Sequence, residues 1–131
     1  MSSGQPIKIA ISGGGLAGAT LANALLKYPH LDMNIFESAP EFSERSAAVG
    51  IAANAQAALA EIGGVVADVI ERAGGVTMTS SRLCMASGPI AMSVVFDIAA
   101  EQRGKVVHRA ALLAEFGRIE GTAMIVRDLF G

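Results

Sequence analysis

A single cysteine, Cys84, stands in 131 residues. That excludes an internal disulfide and any metal centre built on several cysteines, and its neighbours Leu83 and Met85 predict a passive, part-buried thiol. Runs of like charge are missing too. Ten Lys and Arg are interspersed with twelve Asp and Glu, a net charge of -2, so nothing resembles the basic footprint that nucleic acid requires. The opening Met1-Ser2-Ser3-Gly4-Gln5-Pro6 has neither a basic n-region nor an apolar h-region, and no secretory signal is expected. The Ala-rich stretch from Ala47 to Ala60 is broken by Gly50, Asn54 and Gln56 and falls short of a membrane span. Internal repeats and low-complexity linkers are absent. The expectation is a soluble, intracellular and cytoplasmic protein with no nucleic-acid partner and no membrane span.

Apolar residues, by contrast, are abundant. They make up 52% of the chain, high for a domain with so little interior to fill. Either much of this surface meets something outside the sequence, or the chain is part of a larger protein.

The 15 glycines are the other surplus. Gly13-Gly14-Gly15-Leu16-Ala17-Gly18 spells G-x-G-x-x-G, a pattern whose weight depends on its flanks. Ile7 to Ser12 before it reads as a short buried strand, with Ile7, Ile9 and Ile11 on one face. Leu16 to Lys27 behind it carries apolar residues at helical spacing, ended by Tyr28-Pro29-His30. Met33 to Glu37 then reads as a second strand, which completes a right-handed βαβ unit with parallel strands. In such a unit the first glycine permits the tight turn, the second admits a pyrophosphate to the backbone, and the third lets helix and strand approach. Gly13, Gly15 and Gly18 occupy these positions. Glu37, 19 residues after Gly18, ends the second strand, where a carboxylate accepts hydrogen bonds from an adenosine ribose. The alternative for Glu37 is a solvated strand-end acid. NAD and FAD both satisfy this pattern, whereas Glu37 would repel the 2′-phosphate of NADP.

Ser38 to Ala53 reads as irregular. Asn54 is the expected N-cap of a helix reaching Ile62, and Val65 to Ala73 a second short helix. Ile90, Met92, Val94 and Phe96 alternate with Ala91, Ser93, Val95 and Asp97, which predicts a half-buried antiparallel strand paired with Val76 to Met85. The methionines at 78, 85 and 92 would act as packing filler. Val106 to His108 is extended and Arg109 to Phe116 helical. A cation such as Arg109 in a first helical turn opposes the macrodipole. An anionic partner would offset this; a salt bridge to Glu101 is the other reading. His108 and His30 read as a packing and a turn residue.

Four ordered segments carry a family resemblance: Ile9 to Gly18, Ile35-Phe36-Glu37, Ala48-Val49-Gly50-Ile51-Ala52-Ala53-Asn54-Ala55, and Val107-His108-Arg109-Ala110-Ala111-Leu112. Together they resemble the N-terminal third of the FAD-dependent aromatic-ring monooxygenases, the salicylate hydroxylase and para-hydroxybenzoate hydroxylase group. The resemblance runs from about residue 7 to residue 116 of a single partial FAD-binding domain, residues 1–131. It implies an α/β fold, a Rossmann-like FAD-binding βαβ unit with an appended antiparallel β-hairpin, truncated. It also implies that Gly13, Gly15, Gly18, Glu37, Gly50 and Arg109 bind FAD, Gly50 where backbone passes along the flavin and Arg109 at the start of its helix. Arg45 is equally well read as a solvated arginine. None of these residues is expected to be a chemical catalyst. Intact relatives use NAD(P)H and O2 to hydroxylate a small aromatic substrate; a different FAD or NAD oxidoreductase, and a non-catalytic remnant or interaction module, are the alternatives.

Residues 117–131 depart from the family. Glu120-Gly121, Met124 and Arg127 look like a degraded D-G-x-x-S-x-x-R motif, the other explanation being an unrelated tail. With only two parallel strands legible, poor solubility and inactivity alone are expected.

Overall fold

The computed structural model describes residues 4–38, 48–79, 82–99, 103–118 and 124–126. It has a mixed α/β architecture, with a parallel strand pair as its first unit. Strands β1 (Ile7–Ser12) and β2 (Leu31–Glu37) flank helix α1 (Leu16–Leu25). They pair in parallel from Ile7 opposite Leu31 to Ser12 opposite Phe36. This is the expected βαβ unit, with β2 starting two residues early and α1 stopping two residues short of Lys27. Ile11, Ala22 and Ile35 are buried between helix and sheet, with Ile9 packed against them. The opposite face is open. Lys8, Ala10 and Ser12 are exposed, so β1 is covered on one side and not buried on both, as strands of parallel sheets usually are.

A third parallel strand corrects the two-strand expectation. Strand β8 (Met124–Val126) joins the far edge of β2, giving the order β1-β2-β8. Three residues are too few to show a period, so the sequence carried no strand signal there. Glu120, Gly121 and Arg127 of the D-G-like pattern lie outside the described residues, as do Arg45 and Glu101.

The second sheet is antiparallel, in the order β3-β7-β4, from Ala48–Ile51, Lys105–His108 and Val76–Thr77. Helix α2 (Ala53–Ile62) leaves β3 so abruptly that its N-cap is Ala52, not Asn54, which falls inside the first turn. The single helix expected over 65–73 is instead a 3-10 turn, Gly64–Val66, followed by α3 (Val69–Arg72). Helix α4 (Arg109–Gly117) follows β7 directly. Its Leu112, Leu113 and Phe116 form the main core with Ala19, Leu59, Val66, Val69, Ile70 and Val107.

Charge closes the edge of this core. Glu115 is buried in α4 and accepts from Arg72 Nε at 3.2 Å, and it also pairs with Arg118. Arg72 pairs in turn with Asp68, and Lys105 with Glu71. The Lys105 hydrogen bond holds the Glu71 carboxyl below the usual carboxylate range.

Strands β5 (Arg82–Cys84) and β6 (Val94–Asp97) form a separate antiparallel ribbon, with Leu83 opposite Phe96 and Arg82 paired to Asp97 at 3.0 Å. Here several expectations fail. Val76–Thr77 belongs to β7 rather than to this hairpin, and Pro89 to Met92 form a turn. The ribbon is exposed throughout, and among the described residues no layer covers either face. Cys84 is exposed rather than part-buried, and of the three methionines Met78 is half-buried while Met85 is exposed and Met92 is 81% exposed in the left-handed region at φ 66°, so the last two are not packing filler. Among the described residues no helix is long and apolar enough to cross a membrane.

Candidate cofactor site

The G-x-G-x-x-G turn sits at the C-terminal end of β1, where β2 also ends and α1 begins. Gly13 has φ +100°, a conformation that a side chain resists. Its N–H donates to Phe36 O at 2.7 Å, which ties the turn to the end of β2. Gly18 is fixed by space instead. A Cβ there would run into the Gly13 carbonyl and lie 3.2 Å from Ile11 Cγ2, so only glycine lets α1 approach β1 this closely.

Glu37 turns back onto this loop. Its Oε2 accepts the Gly14 N–H at 2.7 Å, and Ser38 Oγ lies 3.4 Å from its Oε1. The carboxylate is partly buried at the rim of the turn, unlike a solvated strand-end acid. Gly14 is the residue that sequence reasoning passed over: it occupies a variable position of the motif, and its backbone amide, not its side chain, does the work.

Arg109 arrives from the other side. It opens α4, and its Nη2 lies 3.6 Å from where a Cβ of Gly15 would stand. Gly15 is itself the N-cap of α1. Neither α1 nor α4 has a side-chain cap or an acid in its first turn. The N-terminus of α1 and the guanidinium carried by the first residue of α4 therefore meet beside the glycine turn, each favouring an anion. In α1 the first intrahelical bond runs from Ala19 N–H to Gly15 O, leaving the N–H groups of Leu16, Ala17 and Gly18 without an intrahelical acceptor.

Gly50 lies farther out. It stands in β3 opposite Val106, three residues before Arg109 in sequence, exposed and with nothing within 4 Å of a Cβ placed on it. Behind the turn an apolar groove of about 210 Å³ runs between Leu16 and Thr20 of α1, Leu59 and Ile62 of α2, and Leu112 and Phe116 of α4.

No family model matches the chain. Over 62 residues it is 45% identical to 6-methylsalicylate 1-monooxygenase of Aspergillus terreus, which is 47% of this chain and 14% of that protein. A salicylate hydroxylase of Pseudomonas putida is 42% identical over 57 residues, 44% of this chain and 13% of the relative. The chain resembles the aromatic-ring monooxygenases. Among solved structures, a tetrameric 2-methyl-3-hydroxypyridine-5-carboxylic acid oxygenase superposes with a TM-score of 0.71 at 22% identity, over 94% of this chain and 32% of that one. A salicylate hydroxylase solved with its substrate gives 0.69 at 21%, over 95% and 29%. At these identities the structural likeness speaks for the fold. The chain thus spans about a seventh of the curated monooxygenases it matches and about a third of these two structural neighbours.

Proposed function

We propose that this chain is the adenosine-side portion of an FAD-dependent aromatic-ring monooxygenase, truncated relative to its relatives. The observation that carries the reading is the closure of the glycine turn: Glu37 clamped to the Gly14 amide on one side and Arg109 set against Gly15 on the other. The residues fit FAD. Gly13, Gly15 and Gly18 leave the backbone bare for a pyrophosphate, while the start of α1 and Arg109 supply positive charge to it. Glu37 keeps acceptor capacity for ribose hydroxyls, because a carboxylate has about four lone-pair sites. Gly50, on the outer strand of the second sheet, leaves backbone accessible for the flavin to pass. A structural neighbour solved in complex with FAD, with a TM-score of 0.56, shares the fold.

When bound, FAD supplies the redox chemistry by which intact relatives use NAD(P)H and O2 to hydroxylate a small aromatic compound. The residues of this chain bind and orient; none is a proton carrier or nucleophile in the reaction, and hydroxylation requires parts beyond those present here. The chain's lone exposed thiol fits a reducing cytoplasm, and its intermixed charge fits no nucleic acid.

The test is to purify the chain, add FAD and record the visible spectrum together with NADH oxidation. A flavin spectrum shifted from that of the free cofactor, without substrate-dependent NADH oxidation, is expected. An unshifted spectrum at saturating FAD would sink the cofactor reading.

A further inference from the structure

Asn23 is out of place in α1. Apart from Thr20 the helix is apolar on its inner side, asparagine is a poor helix former, and a buried amide is costly unless bonded. Yet Asn23 is 7% exposed. Its Nδ2 donates to Ala19 O at 2.7 Å in its own helix and reaches Phe116 O of α4 at 3.4 Å. Phe116 lies in the last turn of α4, where carbonyls run out of intrahelical donors. Asn23 therefore caps the C-terminal end of a neighbouring helix, 93 residues away in sequence.

At the opposite end the Arg109 side chain, from the first residue of α4, reaches the N-cap of α1 at Gly15. From Gly15 to Asn23 is about 12 Å along α1, and from Arg109 to Phe116 about 11 Å along α4, at 1.5 Å per residue. With Asn23 on Phe116 at one end and the Arg109 guanidinium beside Gly15 at the other, the two helices run in the same direction. That arrangement sets like ends side by side, each N-terminus carrying about half a positive charge, with the Arg109 cation added. The apolar packing between them, Ala19 against Leu112, Leu113 and Phe116, is non-directional and does not by itself hold axial register. A bonded polar group does, and fixing register is the best attested use of a buried one.

We infer that Asn23 is a positioning residue: its clasp on the Phe116 carbonyl keeps α1 and α4 level, so that both helix starts and Arg109 converge on one pyrophosphate. This rests on the FAD reading above. A slide of one residue would carry Arg109 about 1.5 Å along the helix axis, enough to matter for a pre-placed charge contact.

The experiment measures ADP and adenosine binding by calorimetry, with thermal unfolding alongside, for the full chain and for Asn23→Leu and Asn23→Ser. Leu keeps the volume without a donor; Ser keeps the bond to Ala19 O but is too short for Phe116. Each variant should lose ADP affinity by about tenfold while adenosine affinity stays within about twofold, because only the phosphates feel the register. A folded variant that binds ADP as the wild type does, or loses ADP and adenosine equally, overturns the inference. Hydrogen exchange on the wild type needs no variant: ADP should protect the starts of α1 and α4 together, and protection at α1 alone also overturns it. Failure of the underlying FAD reading looks different, with the wild-type chain itself showing no preference for ADP over adenosine.

Discussion

Two regions of this molecule are rich in apolar residues and fare oppositely. Around the glycine turn, Ile11, Ala19, Ile35, Leu112 and Phe116 are buried, and the backbone is tied by named hydrogen bonds. In the ribbon of β5 and β6, Leu83 is 63% and Phe96 57% exposed, and the one side-chain tie among the described residues is the exposed Arg82–Asp97 pair. The difference is a second layer. The βαβ unit carries its own cover in α1, which packs in turn on α4, while a two-stranded ribbon has no inside and is marginal alone. Alternation of apolar and polar residues thus records which face is meant to be covered, not whether the cover is present.

Substitutions sharpen the contrast. The largest effect is expected from Gly18→Ala, whose added methyl meets the Gly13 carbonyl; chemical denaturation should show a loss of about 3 kcal/mol. Next comes Glu115→Ala, which leaves Arg72 and Arg118 facing each other at the edge of the core. Discounted for the solvent that reaches both arginines, the loss should be about 1–2 kcal/mol in the same assay. Glu37→Ala should weaken FAD or ADP binding about tenfold, equivalent to roughly 1.4 kcal/mol, with little change in melting temperature. Unchanged affinity would refute its ribose role.

Acid should reveal a smaller effect. Because Lys105 lowers the folded-state pKa of Glu71, the pair contributes stability above the ordinary carboxylate range, and that contribution fades as pH falls through the lowered value. Comparing the pH dependence of melting for wild type and Glu71→Gln should show a slight extra loss in the wild type below about pH 4.5. Smallest of all is Phe96→Thr in the ribbon. Within about 0.5 kcal/mol of wild type in stability, it should raise solubility, measured as soluble protein after concentration. A loss as large as that of Gly18→Ala would erase the distinction between the two regions.

The βαβ unit and its glycine turn were legible because their constraints are local. Glycines at fixed offsets, a strand before and a helix after, and an acid at the end of the next strand are all set within the span from Ile7 to Glu37. What stayed hidden depends on distant partners. The Gly14 amide that Glu37 holds leaves no mark in a sequence, and the pairing of Asn23 with Phe116 joins helices whose proximity no spacing shows. Val76–Thr77 chose β7 over its neighbour in sequence because two residues carry too little pattern to fix a partner. The exposure of Cys84 was misjudged for the reason that governs the whole ribbon, since its apolar neighbours are themselves uncovered.

Strand β8 has a consequence in time. The pairing of β1 with β2 closes a loop of 24 residues, Ile11 to Ile35, whereas Ile35 must wait for Met124, 89 residues on. Loop-closure entropy grows only with the logarithm of length, about 0.6 kcal/mol per doubling. Three residues of pairing offer little to offset even that. The βαβ unit therefore assembles early from local contacts and β8 docks last, so during folding β2 carries an open hydrogen-bonding edge in every molecule that has not yet finished.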